Sequence, residues 1–234
     1  MQSSLSLRFL NRTVFTGLLP ALVFAGVLAA ASVRGEAQFA PPSPGTQVHD
    51  PAALKPPPGA RVAIVEFEDL ECPDCARANP VLRDAASTYK IPWVRHDFPL
   101  PFHTWSFQAA VNARWFDTRS KKLGDEYRDS VFANQPSIVD LNVLRQFTEK
   151  FAKEHNIALP FAIDPMGKLQ NEVKADYALG QRIGIEHTPT IWVVTSNSKG
   201  APFVEVVDRS KLFQLIDQAL EDTKGSAPER TARK

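Results

Sequence analysis

Cys72 and Cys75 lie three residues apart in the run Phe67-Glu68-Asp69-Leu70-Glu71-Cys72-Pro73-Asp74-Cys75, and they are the only cysteines in the 234-residue sequence. Two thiols alone do not complete the tetrahedral ligand set of a structural zinc site. A bridge between them would close too short a loop to restrain the unfolded chain much. The chemistry left to the pair is thiol–disulfide exchange, in which a thiolate attacks a disulfide and a second thiol resolves the mixed disulfide. His96, His103 and His187 match no standard metal-site spacing with the cysteines, so neither a metal nor a cofactor is expected.

The elements on either side give the pair a position. Residues 61–67 hold a short, β-branched apolar run that suits a strand buried on both faces. Residues 76–89 read as a helix, and Pro73 falls where proline is welcome, just inside a helix start. Residues 91–98 read as a second strand, making a βαβ unit with parallel strands. Cys72 then sits at a helix N-terminus, where unpaired amides and the helix dipole favour an anion. Cys72 is therefore expected to be the nucleophile and Cys75, one turn deeper, the resolving thiol. Asp74 suits the first helical turn but places negative charge near Cys72, which raises a thiol pKa. The pair is expected to oxidise more weakly than one with histidine at that position.

Residues 104–156 read as helical throughout, with Asp140 capping one helix and Leu141, Leu144, Phe147 and Phe151 on one stripe. Asp164-Pro165 is expected to open another helix running to about Ile183. Residues 190–194 and 203–207 read as a hairpin turning at Lys199-Gly200, and Ser210 as the cap of a last helix. Trp93, Trp105, Trp115 and Trp192 suit the core, with Trp105, near His103, also placed to line a groove above the cysteines.

Composition separates this domain from its flanks. A formal charge of +1 points to no nucleic acid or acidic partner. Arg8 and Arg12 precede an uncharged run over 13–33 that ends its apolar part on Ala29-Ala30-Ala31. Such a run serves as a signal peptide or as an N-terminal membrane anchor, and either places the remainder of the chain outside the cytoplasm. Residues 34–60 carry Pro41, Pro42, Pro44, Pro51, Pro56, Pro57 and Pro58 and read as an extended linker. The folded domain is expected over 61–222, with a polar tail at 223–234.

The order β-α-β, a helical block, then β-β-α, with Cys-x-x-Cys at the first strand-to-helix junction, resembles the thioredoxin fold, an α/β architecture. The helical insertion at about 104–183 resembles the disulfide-oxidoreductase A (DsbA-like) branch. Local runs carry the likeness: Glu66-Phe67-x-Asp69-x-x-Cys72-Pro73-x-Cys75, Leu100-x-Phe102-His103, Val131-Phe132-Ala133-Asn134-Gln135 and Gly184-x-x-x-Thr188-Pro189-Thr190. The resemblance implies that Glu66 is a buried acid exchanging a proton with Cys75. It also implies that Pro189 is cis and faces the Cys-Pro-Asp-Cys loop, with Thr188 offering backbone groups to an extended substrate. It implies substrate proteins bearing thiols or disulfides, and a membrane redox partner, with the direction of electron flow open. A non-catalytic thioredoxin-like binding module and a copper-handling dithiol protein are the alternatives. The intact cysteine pair and Thr-Pro oppose the first, and the distance of Met166 from the thiols in sequence opposes the second.

Overall fold

A computed structural model describes residues 45–196 and 200–225. The leader or anchor expected at 1–33, the first part of the linker, residues 197–199 of the hairpin turn and the end of the tail lie outside the described residues. No helix among the described residues is long and apolar enough to cross a membrane.

One mixed sheet carries the fold. Its strands are β1 (Val62–Glu68), β2 (Trp93–Asp97), β3 (Thr190–Thr195) and β4 (Phe203–Glu205), in the order β2-β1-β3-β4. β1 runs parallel to β2 and antiparallel to β3, with Glu66 opposite Arg95 on one side and Ile191 on the other. All seven residues of β1 are buried, as the continuous apolar run requires of a central strand. Side chains alternate between faces along a strand. Val62 and Ile64 accordingly pack on α1 (Pro73–Tyr89) and α6 (Leu212–Asp222) through Leu82, Ala85, Leu212 and Ile216. Ala63, Val65 and Phe67 face the other way, in a second cluster with Phe98, Ile183 and Trp192. α5 (Lys168–Ile183) lies on that side. It approaches closely because residue 180 is glycine: a Cβ there would come within 2.6 Å of the Phe98 ring.

Between β2 and α5 the chain builds the helical block, α2 (Ser106–Asp117), α3 (Lys121–Asn134) and α4 (Leu141–Glu154). Ser120 and Asp140 cap α3 and α4, their side-chain oxygens accepting the Leu123 and Val143 amides at 3.1 and 2.8 Å. Leu144, Phe116, Tyr127 and Phe151 fill the block's core, and that cluster also contains Cys72 and Cys75. A buried charge network joins block to sheet. Arg95 of β2 donates to Glu68 at 2.7 and 3.0 Å. Arg128 of α3 pairs with Glu68 at 3.3 Å and with Asp117 at 2.9 Å, and Arg114 of α2 reaches Asp97 at 2.5 Å.

Several element ends differ from the sequence expectation. α1 has Pro73 at its first position and Cys72 as its N-cap, as expected, so its first turn precedes the 76–89 run read from the apolar pattern. The helix expected from Asp164-Pro165 starts at Lys168, after Gly167 turns with φ 67°. Asp164 still serves that helix, since its carboxylate accepts the Gln170 amide at 2.9 Å. Ser210 does not cap the last helix. Asp208 accepts the Ser210 amide and hydroxyl and starts a 3-10 turn over Arg209–Lys211 that leads into α6. Trp105 is buried in the core of the helical block, in the cluster that also holds Cys72 and Cys75. The described part of the proline-rich stretch also packs on the domain. Thr46 donates through amide and hydroxyl to Glu205, the His49 amide donates to Ile183, and Leu54 is buried beside Ala63 and Val65.

Candidate active site

The two sulfurs sit where β1 hands over to α1. Cys72 is the N-cap, with extended backbone at φ −77° and ψ 120°, and Pro73 fixes the first helical φ. This end of the helix leaves its first-turn amides without helical partners, and the helix dipole there favours an anion. Cys75 lies one turn further in and is fully buried, whereas Cys72 retains 7% exposure. Both are free thiols.

Their surroundings separate them chemically. The Cys72 thiol is lowered from about 9 to about 6, foremost by the Cys75 thiol donating to it, then by the Thr188 hydroxyl and the Cys75 and Asp74 amides. Together these donors outweigh the upward push of burial. The Cys75 thiol is pushed well above its ordinary value, first by burial and then by the negative charge that Cys72 and Glu66 bring near it. Its sulfur accepts the Asp69 amide at 3.4 Å.

Thr188 and Pro189 lie against this pair across 116 residues of sequence. The Thr188–Pro189 bond is cis. In the thiol form Cys72 Sγ donates to the Thr188 carbonyl at 3.3 Å. The buried Thr188 hydroxyl has no hydrogen-bond partner among the described residues, so it can donate to the sulfur once Cys72 ionises. Glu66 is 1% exposed. Trp93 Nε1 donates to its Oε2 at 3.0 Å, and Oε1 has no hydrogen-bond partner among the described residues. Burial, then the charge of Glu68, raises the Glu66 carboxyl to about 8. A carboxyl of that acidity, close enough to raise its neighbour Cys75, can hold or release a proton near neutral pH.

Asp74 departs from the sequence expectation. Its carboxylate does not act on Cys72 as a bare negative charge. Arg209 grips it with two hydrogen bonds, at 2.6 and 2.9 Å, and Arg77 adds contacts at 3.1 and 3.2 Å. The Arg209 hydrogen bonds are the largest of the causes that hold the Asp74 carboxyl below its ordinary value. Cys72 is lowered with this paired acid beside it, foremost by the Cys75 thiol.

Further residues shape the site in roles that the sequence reading did not assign them. Gln135 donates to the carbonyls of Leu70 and Cys72 at 2.9 and 3.1 Å, tying the cysteine loop to the helical block. Asp69 accepts the Leu100 amide and pairs with His103 at 2.7 Å. Glu71 accepts the Trp105 and Ser106 amides at the start of α2. His96 stacks on Phe67 and pairs with Asp176 at 3.0 Å. No group of three or more potential ligands among the described residues is placed to hold a metal ion.

A family model described as thioredoxin matches residues 57–209. No curated protein matches the sequence. Among solved structures, the chain is similar to alpha-DsbA1 of Wolbachia pipientis, with a TM-score of 0.56 and 17% identity over 73% of this chain and 93% of that one. It is also similar to DsbA2 of Pseudomonas aeruginosa, with a TM-score of 0.52 and 23% identity over 71% and 92%. The catalytic domain of Proteus mirabilis ScsC gives a TM-score of 0.54 and 18% identity over 71% and 88%. At these identities the likeness is one of fold.

Proposed function

The chain belongs to the thioredoxin family, and we propose that it is a thiol–disulfide oxidoreductase that exchanges disulfides with substrate proteins outside the cytoplasm. The observation that carries this reading is the split in acidity between two thiols three residues apart: Cys72 lowered to about 6, Cys75 pushed up. A thiolate at neutral pH beside a protonated partner is the arrangement that forms and then resolves a mixed disulfide.

In the reducing direction the Cys72 thiolate attacks a substrate disulfide, forming the Cys72–substrate bond and releasing one substrate thiolate. Cys75 then loses its proton, for which Glu66 is the nearby acceptor, and attacks Cys72. The second substrate thiolate leaves and the protein keeps the Cys72–Cys75 disulfide, two electrons having passed to the substrate. Run in reverse, the same steps oxidise a substrate dithiol. Thr188 and Pro189 form the edge on which an extended substrate segment rests beside Cys72. Recycling needs a redox partner, for which a membrane protein is the natural candidate if residues 1–33 act as a leader or anchor.

The test is turnover in both directions: reduction of insulin by the dithiol form and oxidation of a reduced, unfolded protein by the disulfide form, with Cys72→Ala and Cys75→Ala as controls. The expected result is activity in at least one direction, abolished by either substitution, with Cys75→Ala trapping mixed disulfides. Tight metal binding by the dithiol without turnover overturns the proposal. N-terminal sequencing of protein recovered from membrane and soluble fractions tests the reading of residues 1–33 separately.

A further inference from the structure

We infer that Arg209 is a positioning residue for the exchange reaction: from the turn before α6 it holds the Asp74 carboxylate off the Cys72 thiolate and adds positive charge near both sulfurs. Its partner lies 135 residues earlier, in the dipeptide between the cysteines. The contact is a two-pronged one, Nη1 to Oδ2 at 2.9 Å and Nη2 to Oδ1 at 2.6 Å, the fork geometry that gives an arginine–carboxylate pair its direction. Arg77 touches the same carboxylate, but its side chain is 67% exposed against 33% for Arg209, so water screens it more.

The turn that presents Arg209 is held in advance. Asp208 accepts both the amide and the hydroxyl of Ser210, at 3.0 and 2.7 Å, and this fixes the start of the Arg209–Lys211 turn. Arg209 is in electrostatic reach of the reacting groups as well, since the charges of Cys75 and Cys72 are among those that raise its own pKa. It also acts to lower Glu66.

The remaining charged groups around the sulfurs have other engagements. The Asp69 carboxylate pairs with His103, Glu71 holds the amides that open α2, and Glu66 is hydrogen-bonded to Trp93. Arg209 is the less exposed of the two cations on Asp74, so its removal leaves that carboxylate beside Cys72 with only the solvent-screened Arg77 as partner. Because the reduced form carries the thiolate and the disulfide form does not, Arg209 stabilises the reduced form and makes the pair more oxidising.

The inference rests on the thiol-exchange reading, yet its test needs no substrate protein. The pH dependence of Cys72 alkylation by iodoacetamide is measured in the wild type, Arg209→Ala, Arg209→Gln, Asp74→Asn and the Arg209→Ala/Asp74→Asn double variant. Each is then equilibrated with glutathione. Arg209→Ala and Arg209→Gln are expected to raise the Cys72 midpoint by about half to one pH unit. They should also shift the glutathione equilibrium about three- to tenfold toward the disulfide. Adding Asp74→Asn should restore most of both, because the uncompensated carboxylate is gone. A merely structural role would move thermal stability and leave midpoint and equilibrium in place. An unchanged midpoint in both arginine variants, or a shift that Asp74→Asn does not reverse, overturns the inference. If turnover fails while the Arg209 shift and its reversal are present, the functional proposal falls and the Arg209 assignment stands.

Discussion

Burial alone would drive both sulfurs upward, and only Cys75 follows it. Cys72 escapes because the Cys75 thiol foremost, then the Thr188 hydroxyl and two amides of the first helical turn, favour its ionised form. Glu66 works in the opposite sense, its carboxyl raised from 4.5 to about 8. A raised acid contributes stability that is fully present below its unfolded value and lost as pH climbs through its folded value. The Glu66 contribution is therefore whole below about pH 4.5 and gone by about pH 8. Replacing Glu66 with glutamine should flatten the decline in stability between those limits, measured by denaturant unfolding of the disulfide form so that thiol ionisation does not intrude. Parallel curves for wild type and variant would show that Glu66 is not held protonated. The thiols, Pro73 and the Thr188–Pro189 pair were legible from the sequence because they are local motifs. Arg209 was not, because nothing near position 209 marks it as the partner of an acid 135 residues away.

Elements were legible where their pattern was continuous and misread where a loop residue decided their ends. β1 declared itself through seven consecutive buried positions, and Asp140 announced α4 through a cap that the structure contains. The starts of α5 and α6 were displaced because Gly167 and Asp208 take the turn positions and leave Pro165 and Ser210 outside the helical ends. Helix-to-sheet distance is a further property that no propensity reveals. α5 can lie against β1 and the Phe98 ring only because Gly180 has no side chain, and both Phe67 and Phe98 are too buried to move aside. Gly180→Ala would gain about 1 kcal/mol of helix propensity. Overpacking typically costs about 1–3 kcal/mol, and the short contact at 2.6 Å favours the upper part of that range. A net loss of about 1–2 kcal/mol in urea unfolding is expected, and a stabilised variant would mean that α5 is free to shift.

For the whole molecule, the two redox forms should differ in stability, and the difference should depend on pH. A thiol whose folded value is lowered contributes stability that is present above its unfolded value and lost as pH falls through its folded value. For Cys72 that window runs from about 9 down to about 6. The disulfide makes no such contribution, and the short loop it closes restrains the unfolded chain little. The reduced protein should therefore gain on the oxidised one as pH rises from about 5.5 toward about 9. The gain amounts to about 1 kcal/mol at pH 7 once the partial exposure of the sulfur is allowed for. Paired thermal unfolding of the two forms across that range measures it, and a stability gap that stays constant with pH would show that Cys72 is an ordinary thiol in the fold. The same sign bears on redox poise. If Arg209 acts as inferred, its pairing with Asp74 makes the dithiol easier to reach from the disulfide than the acid alone would, and the net direction of electron flow then rests with the redox partner.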